Sequence, residues 1–241
     1  MNKKSVPAFS ALAFFLVLFA GCSGNKSVNK PVDQPVATEE VKAPLEIGDE
    51  TKALLKDLED NGNYVNSQVF PSLIKASIVH ESLGKNFLVI DLRSPKLYSE
   101  GHIKGAVNKS LEKLPGYFET GIKPFEYDKI IMVCEDGQVS SYTTCLLRLM
   151  GYGNVYSMRW GMSVWNDTFA KEGWLKGVSG KYEAALETNV NAKPGAKGMP
   201  EPGTGKRTGE EIGAVRFHKL FEEGASNILI SADEVFLNPS K

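Results

Sequence analysis

Ile130-Ile131-Met132-Val133-Cys134-Glu135-Asp136-Gly137-Gln138-Val139-Ser140-Ser141 is the stretch on which the reading of this chain turns. Four consecutive apolar residues describe a strand buried on both faces. From Ser140 to Met150 the apolar residues recur at helical spacing, and Gly151 stands where a helix commonly ends in a left-handed residue. Cys134 closes the strand and opens the loop between the two. A cysteine so placed meets converging backbone N–H groups and the positive end of a helix dipole. Both favour thiolate over thiol and would cradle an anion attached to the sulfur.

Outward from this stretch the pattern repeats. Phe87-Leu88-Val89-Ile90 and Val155 to Met158 are further unbroken apolar runs. The spacing predicts a helix over 49–60, stopped at Asn61-Gly62, and a second around Pro71 to Glu81. Strands alternating with helices imply an α/β fold with a parallel sheet flanked by helices, in which sites form outside the carboxyl ends of the strands. Residues 188–210 are rich in glycine and proline and read as a flexible linker. Within it Gly203-Thr204-Gly205-Lys206-Arg207-Thr208 lacks the spacing of a phosphate loop and follows no strand.

Upstream of the cysteine stand Asp91-Leu92-Arg93 and Gly101-His102-Ile103-Lys104-Gly105-Ala106-Val107-Asn108. With the Cys134 loop, these blocks resemble the rhodanese family over roughly residues 65–175. The resemblance implies one complete rhodanese-like domain over 48–187, whose cysteine carries sulfur as a persulfide. It implies a small sulfur donor, a thiol or protein acceptor, and neither cofactor nor metal. Family loops commonly read Cys-x-x-Gly-x-Arg/Ser-Ser; Cys134, Gly137 and Ser140 match, while Val139 departs. Glu135 and Asp136 add negative charge beside the sulfur, which disfavours a dianion such as thiosulfate. Arg159-Trp160-Gly161-Met162-Ser163-Val164-Trp165 resembles the family's Gly-Gly-x-x-x-Trp segment, with Trp160 in place of the first glycine. Cys134 is therefore the expected catalytic residue. Glu135, Asp136, Gly137, Gln138, Val139, Ser140, Arg93 and Arg159 are expected around the substrate. Arg93 has a second reading as an architectural partner of Asp91, and His102 is read as a structural histidine.

The first 21 residues form a separate unit. Lys3 and Lys4 precede an apolar run, Ala8 to Ala20, too short to span a bilayer comfortably. Leu18-Phe19-Ala20-Gly21-Cys22 resembles the lipobox of bacterial lipoproteins, with Phe19 where leucine is usual. The expectation is a signal peptide over 1–21, acylation of Cys22, and a tether over 22–47 that holds the domain at the cell envelope. Ser23 points to the outer membrane, facing the periplasm. The formal net charge of −1 becomes more negative once Lys3 and Lys4 are removed, so the chain has no electrostatic footprint for nucleic acid. Apart from Cys22 there are only Cys134 and Cys145. A bridge between them would cross the loop and destroy the anion cradle, so Cys145 is read as a buried structural thiol. Residues 211–241 are read either as the stub of a second rhodanese-like domain or as a segment docking on the first.

Three functions compete at this level. One is a lipid-anchored sulfurtransferase, and another is a non-catalytic rhodanese-like module that binds partners or senses redox state. A phosphatase with a Cys-x5-Arg loop is excluded, because Ser140 occupies the arginine position and phosphate would lack its bidentate clamp.

Overall fold

Phe87–Asp91 (β2) and Lys129–Val133 (β4) lie side by side in parallel, with Phe87 opposite Lys129 and Asp91 opposite Val133. Alternate residues along these strands face opposite sides. Leu88, Ile90, Ile130 and Met132 enter one core layer, and Val89, Ile131 and Val133 the other. That is why both runs are apolar at every step. Val155–Met158 (β5) pairs with the far side of β4. Two short strands, Leu73–Ile74 (β1) and Val107–Asn108 (β3), complete a five-stranded parallel sheet in the order β1-β5-β4-β2-β3.

This computed structural model describes residues 46–62, 72–190, 192, 195 and 198–237. The leader, Cys22 and Pro71 lie outside them. In chain order the helices are α1 (Asp49–Asp60), α2 (Ala76–Glu81), α3 (Pro95–Glu100), the single turn α4 (Leu114–Gly116) and α5 (Gln138–Leu149). They continue with α6 (Asp167–Glu172), α7 (Trp174–Gly177), α8 (Gly209–Glu223) and α9 (Ala232–Leu237). Among the described residues no helix is long and apolar enough to cross a membrane.

The helix expected around Pro71 to Glu81 starts only at Ala76. Before it, Ile74 is buried against the sheet, Leu73 is exposed and Lys75 is still extended. Strand pairing with Ser157 and Met158 takes these residues before a helix can begin.

The second departure concerns residues 200–223. The stretch expected as a flexible linker is pinned to α1 in its latter half. The Glu50 carboxylate accepts the N–H groups of Thr204 and Gly205, and the Thr51 hydroxyl donates to Pro200 O. Thr208 then caps α8, its hydroxyl accepting the Glu211 N–H. Phe217 and Phe221 enter the core layer formed by Leu88, Ile90, Ile130 and Leu147. Gly209 permits the close approach, since a Cβ there would stand 2.2 Å from Asp57 Cβ. Packing is therefore continuous across the expected boundary at residue 210. Further on, Asp233 bonds Lys181 and Phe236 stacks on Tyr182.

Candidate functional site

The carboxyl end of β4 delivers Cys134 into a loop that wraps its sulfur. The Gly137 N–H donates to Sγ at 3.1 Å and the Ser140 N–H at 3.3 Å, while the Ser140 hydroxyl lies 3.4 Å away. Gly137 makes the wrap possible. Its φ of +97° is strained for a side-chain-bearing residue, and a Cβ would press on the Trp160 backbone at 3.0 Å. From Gln138 the chain runs into α5, whose first turn aims the Ser140 N–H at the sulfur and the Gln138 N–H at Asp136 Oδ1.

The segment after β5 clamps the loop from the other side. Met162 N–H donates to Cys134 O at 2.8 Å, and the Ser163 N–H and hydroxyl both donate to Glu135 O. Ser163 Oγ also accepts the Trp174 N–H. Gly161 has no room for a side chain, because a Cβ would meet Cys134 O at 2.3 Å. Trp160 holds a φ of +66°, the one positive φ of a non-glycine among the described residues. Its ring is exposed, edge-on to Trp174 at 4.7 Å, with the Arg159 guanidinium over its face at 5.3 Å. Backbone strain retained at a site mouth is a common mark of function.

The model of the rhodanese-like domain family matches residues 75–168, a span that holds β2, β4, β5 and the whole Cys134 loop. The thiosulfate sulfurtransferase GlpE of Pseudomonas entomophila is 30% identical over 86 residues, covering 35% of this chain and 75% of its own length. The chain belongs to the rhodanese-like family. Thiosulfate sulfurtransferase 16, chloroplastic, of Arabidopsis thaliana is 29% identical over 104 residues, covering 39% of this chain and 87% of that protein. A tRNA uridine(34) hydroxylase of Teredinibacter turnerae is 34% identical over 77 residues, but the match spans only 24% of that protein and 31% of this chain.

Within this rhodanese-like domain the structure gathers the loop residues Cys134 to Ser140, while Arg93 lines a cavity with Glu135 but commits its guanidinium elsewhere. Arg93 is buried and turned onto Asp91, with Nη2 to Oδ2 at 2.7 Å and Nε to Oδ1 at 3.0 Å. Its Nη2 also donates to Gly101 O, and its guanidinium lies over the Phe169 ring. Asn108 closes the arrangement by donating to the carbonyls of Asp91 and Arg93. The guanidinium of Arg93 thus takes the architectural role beside Asp91 and Gly101. A buried carboxylate and three carbonyls needed its donors and those of Asn108. His102 stacks on Tyr98, and its Nδ1 lies 2.9 Å from Tyr98 O, which fits a structural role.

The charge state of Cys134 also departs from expectation. The residue is 1% exposed, and burial pushes the thiol up, against the opposing pull of hydrogen bonds from Ser140, Gly137 and Asp136. The amide cradle is present, but desolvation of a fully enclosed sulfur outweighs it in the resting protein. Cys145 is only half-buried, and burial raises its thiol too.

Asp136 stands nearest the sulfur, with Oδ1 at 3.9 Å, and it also accepts the Gln138 N–H and side-chain amide. Glu135 lines a cavity of about 440 Å³ with Arg93, Lys171 and Lys176. Among the described residues neither acid is in an ion pair, and Arg159 neutralises neither. Val139 gives its carbonyl to the Thr143 hydroxyl inside α5. Sequence reasoning missed Ser157, a fully buried serine of β5 whose hydroxyl meets those of Ser140 and Ser141. A polar residue inside an otherwise apolar run was the available signal.

Proposed function

We propose that this chain is a rhodanese-type sulfurtransferase that passes sulfane sulfur through a persulfide on Cys134. The observation that carries the reading is the pair of N–H groups, from Gly137 and Ser140, aimed at one sulfur at the end of β4. In the first half-reaction the Cys134 thiolate attacks the outer sulfur of the donor. A new S–S bond forms, the donor's S–S bond breaks, and its electron pair leaves with sulfite or a thiolate. In the second, an acceptor thiolate takes the outer sulfur and returns Cys134 as thiolate. The outer sulfur of the persulfide is anionic and sits about 2 Å further along the cradle. Fixed backbone donors stabilise it without reorganisation. Exposing the soluble domain to thiosulfate or a polysulfide should add one sulfur to the peptide carrying Cys134, read by mass spectrometry. No gain with any donor defeats the proposal. That outcome leaves the second reading, a binding or redox-sensing module, which the enclosed sulfur favours.

Donor choice follows from the loop charges. Asp136 lies close enough that its repulsion with each charge of an approaching dianion is about 1–4 kcal/mol at 4 Å for effective dielectrics of about 80 to 20. Neutralising the loop as Glu135→Gln with Asp136→Asn should raise kcat/KM for thiosulfate about tenfold or more at low ionic strength, and by less in high salt. Most of the gain should come from Asp136, since Glu135 has lysines across its cavity. An unchanged thiosulfate rate in the folded double variant would remove charge from the account of donor preference.

The proposal extends to place. Cys22 is the acylated residue that holds the domain at the outer membrane, facing the periplasm, through the lipobox-like Leu18-Phe19-Ala20-Gly21-Cys22. Cys22→Ala should move the protein from the membrane to the soluble fraction. Retention in the membrane as firm as the parent's, with no lipid on either protein, would count decisively against an anchor.

A further inference from the structure

Four polar side chains form an unbroken line through the back of the site. Cys134 Sγ is 3.4 Å from Ser140 Oγ, Ser140 Oγ is 2.9 Å from Ser157 Oγ, and Ser157 Oγ is 3.2 Å from Ser141 Oγ. Ser140 and Ser157 are fully buried, and Ser141 is only partly so. The line therefore runs from an enclosed sulfur toward solvent along the seam between α5 and β5.

We propose that Ser157 is a positioning residue that completes a hydroxyl relay, Cys134–Ser140–Ser157–Ser141, through which the thiol proton leaves and by which the thiolate is stabilised. The proposal rests on the sulfur-carrier reading, because only a nucleophilic sulfur needs to ionise in place. Two observations require some such device. The sulfur is enclosed, and among the described residues no imidazole, ammonium or guanidinium bonds it. The charged groups around it are few. Asp136 Oδ1 is 3.9 Å away but already accepts the Gln138 N–H, and the Glu135 carbonyl is held by Ser163. On the neighbouring strand Asp91 and Arg93 are closed on each other, and beyond β5 Arg159 lies over Trp160.

The protons balance along the line. In the thiol state the S–H donates to Ser140 Oγ, and the Ser140 hydroxyl points to Gly137 O or to Ser157. On ionisation the S–H bond breaks, and Ser140 receives that proton while passing its own to Ser157. Ser157 passes one to Ser141, and Ser141 releases one to water. Each serine ends with one hydrogen. The hops themselves leave Ser140 donating to the thiolate, Ser157 to Ser140 and Ser141 to Ser157. Such a chain polarises each successive bond, so the last donor, on the sulfur, is stronger than an isolated hydroxyl. Nothing is oxidised or reduced.

The test is the pH profile of Cys134 alkylation by iodoacetamide, with peptide mapping to separate it from Cys145. Ser157→Ala should move the alkylation midpoint upward by about half a unit or more, equivalent to about threefold slower reaction near neutrality. The rate at high pH should be unchanged. Ser157→Thr keeps the hydroxyl and should restore the midpoint. Ser141→Ala breaks only the outer end and should shift it in the same direction by less. An unshifted midpoint in folded Ser157→Ala, with melting temperature near the parent's, overturns the relay. Should Ser157→Ala fail to fold, Ser141→Ala decides, and an unshifted midpoint there has the same meaning. Sulfur uptake, read on the same proteins by mass, is a separate outcome. A shifted midpoint without sulfur gain refutes the sulfurtransferase reading and leaves the relay standing.

Discussion

Cys134→Ser protein exposed to thiosulfate or a polysulfide should keep its mass, while the parent gains one sulfur on the peptide spanning the loop. The expected loss is complete rather than partial. A serine hydroxyl does not accept sulfane sulfur, and among the described residues no other cysteine stands in an amide cradle. Cys145, the other free thiol among the described residues, lies on α5, where burial raises its thiol against the opposing charge of Arg148. The substitution keeps the donors Gly137 N–H and Ser140 N–H in place and replaces sulfur by a smaller oxygen, so the fold should be retained. Circular dichroism and the melting temperature check this. Sulfur gain by the serine variant equal to the parent's would show that the carrier lies elsewhere.

Arg93→Ala should destabilise the domain by about 3–5 kcal/mol, read by urea unfolding, because it leaves the Asp91 carboxylate buried without its cation. Asp91 and Arg93 are 1% and 3% exposed, so water cannot take over the lost donors. The Gly101 carbonyl loses its guanidinium donor in the same step, and Phe169 loses the cation over its ring. Replacing the pair together by apolar residues of similar volume, as Asp91→Leu with Arg93→Met, should harm stability much less than Arg93→Ala alone. Were Arg93 a substrate ligand, the single variant would instead stay near parental stability and show a raised KM for anionic donors. That result would make Arg93 a substrate ligand and not an architectural partner of Asp91.

The same pair shows where sequence reading stops. The strands β2, β4 and β5 were legible because residues buried on both faces of a parallel sheet must be apolar at every position, and no other element so short makes that demand. Helix α5 and its end at Gly151 were legible from spacing and a glycine, and the glycine does adopt a positive φ of +98°. Cys134 at the end of β4 followed from those two. By contrast β1 and β3 have two residues each, too few for any period to show.

Charge and burial were beyond the sequence for a different reason. Whether Arg93 faces substrate or Asp91, and whether the Cys134 thiol is lowered by its amides or raised by enclosure, depends on what packs over them. That cover comes from Phe169 and the turn after β5, both distant in the chain. Helix α8 shows the same limit. Ile212, Phe217 and Phe221 announce an apolar face, but only the placement of α1 and the sheet determines what that face covers. The sequence by itself determined the three central strands, the helix after the loop and the place of Cys134 between them, because periodicity and turn chemistry are local. The tertiary structure alone decided which groups are desolvated, which charges are paired and which hydroxyls meet, because those depend on contacts between segments far apart in the chain.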